Sequence, residues 1–215
     1  MNSCWIVGAG EFCESDFAPL QGDYVIAADG GYSYLQHMGA KCDMVLGDFD
    51  SLGFVPDHPN VVRHNPIKDD PDMMLAVHEG EKRRFKRFYL LGGMGGRIAH
   101  SLANVQTLIY LSRHGCACYL VGTCDEITAV TNGALEFSEK ANGYLSVFCL
   151  DGKAEGIYMN GLKYTLDDGC LVSDRPLGLS NEFTGRVAHI YVRKGTLVAV
   201  YAKRPENRAV RVGLK

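Results

Sequence analysis

The chain has 215 residues, 47% of them hydrophobic and 22% charged, the composition of a globular protein rather than a disordered or fibrous one. Its 22 basic and 25 acidic side chains leave a net charge of −3, so the basic stripe of a nucleic-acid binder is not expected. No apolar run approaches the roughly 18 residues that span a bilayer, and Met1–Glu11 lacks the basic flank and long apolar core of a signal peptide. A cytoplasmic protein with no membrane or nucleic-acid partner is expected.

Eight cysteines are present, without a C-x-x-C pair that would suggest a zinc ribbon. Cys4, Cys118 and Cys149 lie inside apolar runs, where a thiol behaves as a small hydrophobe. Free thiols are the expectation.

The first 125 residues alternate short apolar runs with helical stretches. Strands are predicted at Trp5–Val7, Tyr24–Ala28, Met44–Leu46, Val61–Arg63, Arg87–Leu91 and Cys118–Val121. A helix is predicted after Asp70-Pro71, with Asp70 as N-cap and Pro71 in the first helical position. Another follows Arg97, where Ile98, Leu102, Val105 and Ile109 recur on one face and Gly115 supplies a stop. Strands alternating with helices imply a parallel sheet covered on both faces. After Gly122 the rhythm changes. Ala134–Glu139, Tyr144–Leu150, Glu155–Met159, Val187–Val192 and Thr196–Ala202 read as strands, separated by the turn signals Asn142-Gly143, Asp151-Gly152, Asn160-Gly161 and Lys194-Gly195. The expected architecture is therefore an N-terminal Rossmann-like α/β domain, residues 1–125, followed by a C-terminal antiparallel β-sandwich or barrel, residues 126–215.

Three segments carry chemistry. Gly47-Asp48-Phe49-Asp50-Ser51 follows a strand, and ligands of open α/β sheets bind beyond the carboxyl ends of strands. If the pleat continues, Asp48 and Asp50 share a face and suit a Mg²⁺ ion; a solvated turn with a capping Asp is the alternative. Lys68-Asp69-Asp70-Pro71-Asp72 is a second acidic cluster, with Asp72 in the first turn of a helix, where the dipole favours it. Gly92-Gly93-Met94-Gly95-Gly96-Arg97 joins a strand to a helix. Its N–H groups can approach a phosphate, and Arg97 adds a planar fork. It is not a Walker loop. His100 and Asn104 lie four apart on the following helix. Asp29 ends the strand Tyr24–Ala28 and either caps the next helix or faces the same cleft. Gly8-Ala9-Gly10 begins a dinucleotide fingerprint but has Cys13 where the third glycine belongs.

Taken in order, these segments resemble the thiamine pyrophosphokinase family. The matching residues are Ala28-Asp29-Gly30-Gly31, Gly47 to Ser51, Lys68 to Asp72, Gly95-Gly96-Arg97-Ile98-Ala99-His100 with Leu102-Ala103-Asn104, Gly161-Leu162-Lys163-Tyr164, and Gly178-Leu179-Ser180-Asn181-Glu182-Phe183. The resemblance implies transfer of pyrophosphate from ATP to the thiamine hydroxyl, giving thiamine diphosphate and AMP, in a homodimer. It implies that Asp48, Asp50 and Asp72 hold Mg²⁺ and, with Arg97, form the catalytic set. Asp29, Lys68, Asp69, Gly95, Gly96, Arg97, His100 and Asn104 would line the ATP site. Ser180 and Asn181 would touch thiamine across the subunit interface, and Asp72 is the candidate acceptor of the hydroxyl proton. The family usually has Asp where Ala99 stands and Thr where Pro71 stands, so one acidic group is missing, for which Asp69 or Asp70 is a candidate substitute. A pyrophosphokinase acting on another hydroxymethyl heterocycle such as a pterin, a non-catalytic thiamine- or nucleotide-binding regulator, and a nicotinamide-dependent oxidoreductase are the competing readings.

Overall fold

The computed structural model describes residues 2–65, 67 and 69–212. The chain divides into two compact units. The first runs to Thr107 and takes in Leu120–Thr123; the second comprises Leu108–Tyr119 and the chain from Cys124 onward.

The first unit is built on parallel strands. β1 (Cys4–Val7), β2 (Tyr24–Ala28) and β3 (Met44–Gly47) are almost wholly buried, as expected of apolar runs covered on both faces. Helix α1 (Gly31–His37) joins β2 to β3, and the short strand β4 (Val61–Arg63) follows. Helix α2 (Asp72–Lys82) leads back to β5 (Arg87–Leu91). The strand order is β4-β3-β2-β1-β5, all parallel. β1 thus has β2 on one side and β5 on the other, and the chain changes direction there. That is the topological switch point where open α/β sheets open a crevice at the strands' carboxyl ends. α1 packs on β1 and β2, and α2 on β1, β2 and β3. Asp23 ties down the unit's edge: its carboxylate accepts the N–H of Ser3 (2.7 Å), the indole N–H of Trp5 (2.8 Å) and the N–H of Leu20 (3.0 Å). Burial pushes this carboxyl up, but the three donors and nearby Arg87 outweigh it and hold it below its ordinary value of 3.8. Trp5 stacks on Tyr89 with ring centroids 4.3 Å apart.

Helix α3 (Ile98–Arg113) follows, and then β6 (Ala117–Val121); the division between the units falls inside both. The stripe anticipated on α3 is corrected by the structure. Ile98 and Leu102 are 77% and 62% exposed, and the buried positions are Asn104, Thr107, Leu108, Ile109, Leu111 and Ser112. The first turn of α3 stands clear of any core. A second correction concerns α2. Its N-cap is Pro71, in an extended conformation, and no side chain caps it. Asp70 lies one residue too early to cap; one of its oxygens is 3.6 Å from Nε2 of His78.

The second unit is antiparallel. β7 (Asp125–Phe137) pairs along its length with β12 (Ala188–Ala202). β8 (Tyr144–Phe148) pairs with the end of β12, and β9 (Lys153–Asn160) with its start. β10 (Leu166–Val172) extends beyond β9, β11 (Asn181–Glu182) pairs with β8, and β13 (Val210–Val212) pairs with β7. One long strand therefore serves two layers around a core that includes Leu135, Phe137, Val147, Ile190, Leu197 and Tyr201. Lys194-Gly195, read as a turn between two strands, is instead a bulge within β12. The ladder shifts register between Val192 and Thr196, and Gly195 N–H donates to Asn132 Oδ1 at 2.9 Å. A bulge takes the residues of a turn without reversing the chain.

No disulfide links any of the eight cysteines. Burial pushes the Cys4 and Cys118 thiols up to about 12, so neither is a nucleophile near neutral pH. Among the described residues no helix is long and apolar enough to cross a membrane.

Candidate active site

The first unit gathers carboxylates at the ends of its strands. Parallel pairing sets Ala28 beside Leu46, so the next residues of β2 and β3 emerge together. Asp29 takes a left-handed conformation, φ 48°, and its N–H donates to Leu46 O at 2.8 Å. Asp48 follows β3 directly, and Asp72 is the first residue of α2. Oxygens of Asp29, Asp48 and Asp72 all lie within 4.8 Å of one another. Asp29 is only 9% exposed, and its Oδ1 is buried without a hydrogen-bond partner among the described residues. Burying such an atom unpaired is costly, so something outside the chain is expected to satisfy it. Oxygen donors alone, three carboxylates among them, are what Mg²⁺ takes. The residues present therefore fit that ion.

Asp50 is not among these three. Phe49 is buried and has φ 66°, which breaks the pleat that would have put Asp48 and Asp50 on one face. Asp50 is exposed, and its backbone N–H donates to Asp48 Oδ1 at 3.2 Å. Asp29 takes the place in the cluster and does not cap α1, whose N-cap is Gly30 with no side-chain bond. Asp69 is exposed and Asp70 turns toward His78, so neither joins the three. Lys68 lies outside the described residues.

The glycine loop follows β5. Gly92, Gly95 and Gly96 have φ of +61°, +82° and +63°, conformations that only glycine adopts without strain. Asn104 is buried, and its side chain donates to Gly93 O at 2.6 Å, so it holds the loop from below. Arg97, Ala99 and His100 are exposed at the first turn of α3. Gly8-Ala9-Gly10 runs alongside, with Gly8 N–H donating to Leu91 O, Gly10 N–H to Gly92 O and Glu11 N–H to Met94 O, at 2.8, 2.7 and 2.7 Å. A Cβ on Gly10 would lie 2.4 Å from Met94 O. The paired glycines thus serve close packing of two backbone segments.

In the second unit the two other motif segments meet. Leu162 bridges Phe183, and Lys163 N–H donates to Glu182 O at 3.0 Å. Asn181 is buried; its Oδ1 accepts from the N–H groups of Tyr164 and Glu182, and its Nδ2 donates to Tyr164 O. Its amide is spent on holding the backbone, which makes it a positioning residue for its neighbours. Ser180 has φ 56°, and its N–H donates to Ser146 Oγ at 3.0 Å. Tyr164 stands 60% exposed beside this turn.

Comparison with known proteins agrees in both halves. The family model for the thiamin pyrophosphokinase catalytic domain matches residues 20–120, and that for the thiamin pyrophosphokinase vitamin B1 binding domain matches residues 134–197. Thiamin pyrophosphokinase 1 of Caenorhabditis elegans is 24% identical over 177 residues, 75% of this chain and 72% of that protein. The thiamine pyrophosphokinase of Bacillus subtilis superposes with a TM-score of 0.84 at 20% identity, covering 94% of this chain and all of the other. The thiamin pyrophosphokinase of Candida albicans gives 0.75 at 15% identity, covering 94% and 89%. At such identities the structures establish the fold, and the two family models, matching consecutive parts of the sequence, establish that the chain belongs to the thiamin pyrophosphokinase family.

Proposed function

We infer that this chain is a thiamine diphosphokinase, transferring the pyrophosphoryl group of ATP to the thiamine hydroxyl to give thiamine diphosphate and AMP. Family membership supports the reaction. The observation that carries the assignment of the site is the convergence of Asp29, Asp48 and Asp72 with a buried oxygen left unsatisfied.

Asp29, Asp48 and Asp72 are proposed to hold Mg²⁺, which when bound neutralises charge on the phosphate oxygens. The N–H groups of Gly95 and Gly96 and the guanidinium of Arg97 orient the triphosphate, and Asn104 keeps the loop in place beneath them. Lys68 and His100 are assigned to the same phosphates on family likeness. Ser180 and the adjoining Tyr164 turn hold thiamine, with Asn181 fixing their backbone. Phosphoryl-type transfer depends mostly on in-line positioning and charge neutralisation, which is the work these groups are suited to. Asp72 is proposed to accept the proton of the attacking hydroxyl; an Asp72→Asn enzyme with normal turnover would remove that role. A homodimer in the cytoplasm is proposed on family resemblance, and sedimentation of the purified protein tests the dimer.

The deciding experiment incubates the protein with Mg-ATP, with and without thiamine, and separates AMP from ADP. Thiamine-dependent AMP matched by thiamine diphosphate is expected. ADP would replace the mechanism with single-phosphoryl transfer. Ala99 favours one second reading, a binding-only regulator, because this position adds no carboxylate at the first turn of α3. ATP and thiamine binding without any product would support it.

A further inference from the structure

Glu11 lies at the switch point and has no part in the reaction as set out above. It follows β1 by four residues, and its backbone is locked to the glycine loop through Met94 O. The neighbouring Phe12 stacks on Tyr34, whose hydroxyl donates to Gly10 O at 2.9 Å, so the whole segment is held. The side chain itself is placed. It lies where a Cβ on Gly95 would be, 2.2 Å from Glu11 Cγ, and Thr123 Oγ1 donates to its Oε2 at 3.1 Å. Its Oε1 has no hydrogen-bond partner among the described residues, and the residue is exposed.

We propose that Glu11 is a specificity-determining residue that accepts hydrogen bonds from the ribose hydroxyls of the nucleotide donor. The inference rests on the pyrophosphokinase reading. A carboxylate packed on the glycine loop repels phosphate oxygens, so the group it meets must donate hydrogen bonds. The strand order separates the two ends of the nucleotide. The three aspartates belong to β2, β3 and α2, whereas Thr123, which anchors Glu11, follows β6, beyond β5 on the opposite side of β1. With the triphosphate between the glycine loop and the aspartates, the sugar falls on the Glu11 side.

The test is the Kd of Mg-ATP against that of Mg-2′,3′-dideoxy-ATP, measured by calorimetry, which requires no turnover. The wild type is expected to bind ATP at least about tenfold more tightly, the worth of a charge-assisted hydrogen bond. Glu11→Ala should bring that ratio close to one by weakening ATP alone. Glu11→Gln should keep part of the ratio, because the amide carbonyl still accepts. Thr123→Val, which frees the carboxylate without removing it, should lower the ratio less than Glu11→Ala does. Equal affinities in the wild type, or an equal loss for both nucleotides in Glu11→Ala, would overturn the proposal. The thiamine-dependent AMP assay stands apart: its failure defeats the pyrophosphokinase reading, while the Kd ratio still decides for or against Glu11.

Discussion

Buried polar groups of the second unit and the buried Asp29 of the first are treated in opposite ways. In the second, Glu126 is 2% exposed, and its carboxylate is taken up by Arg208 Nε and Nη2 and by the Tyr201 hydroxyl at 2.8 Å. Asn207, fully buried, both donates to and accepts from Asn142 and also donates to Ala202 O. In the first unit Asp29 Oδ1 is buried with no partner among the described residues, and Asp29 and Phe49 both sit in the left-handed region. Polar groups that stabilise a fold are satisfied by the fold, whereas those left unsatisfied or strained mark where a ligand completes the structure. Stability and function should therefore respond to different substitutions, and four experiments bear on that division.

The largest effect is expected at the aspartates. Asp48→Asn should lower thiamine-dependent AMP formation by about 10³-fold, the scale on which a lost charge-positioning group acts. The same change removes repulsion among close carboxylates, so the melting temperature should hold or rise. A variant that loses activity only by unfolding would erase the contrast. Next is Arg208→Ala, which strands the Glu126 carboxylate. A loss of about 3 kcal/mol in urea unfolding is expected; stability within error of wild type would mean the second unit does not depend on this pair. Ser180→Gly comes third. Relief of its left-handed backbone should stabilise the protein by about 1 kcal/mol, and loss of the hydroxyl should raise the thiamine KM about tenfold. If the KM is unchanged, Ser180 does not contact thiamine. The smallest effect concerns acid. Asp23 has a folded-state pKa below its ordinary 3.8. It therefore stabilises the protein fully above that value and loses its contribution as pH falls through the lowered one. The stability advantage of wild type over Asp23→Asn, followed by urea unfolding from pH 6 to 3, should shrink at the acid end.

The parallel strands were legible because continuous apolar runs such as Tyr24–Ala28 have no other way to be buried. The two-part architecture was legible too, from the change in rhythm after Gly122. The carboxylate cluster was half legible. Asp48 and Asp72 announced themselves by following a strand and opening a helix, but the choice between Asp29 and Asp50 depended on Phe49, whose left-handed backbone no alternation rule anticipates. β10 escaped because Leu166-Asp167-Asp168-Gly169 has low strand propensity and is held by pairing with β9. The stripe on α3 misled because periodicity reports an apolar face without saying that the start of the helix, Ile98 and Leu102, stays exposed. Glu11 gave a signal only in hindsight of strand order, since nothing in Gly-Ala-Gly-Glu reveals which loop lies beside it.

The long pairing of β7 with β12 has a consequence for how the protein is made. Every strand of the first unit's ladder from β1 to β5 has been synthesised before residue 125 is reached. The ladder of the second unit joins Asp125–Phe137 to Ala188–Ala202, so β7 must wait for this partner while some fifty residues are synthesised. Contacts so distant along the chain form slowly, and an exposed strand of that length invites association with other nascent chains. The bulge at Gly195 makes the wait stricter still: because the ladder changes register there, β12 can dock correctly only in one alignment, and a slip that satisfied one layer would misplace the other.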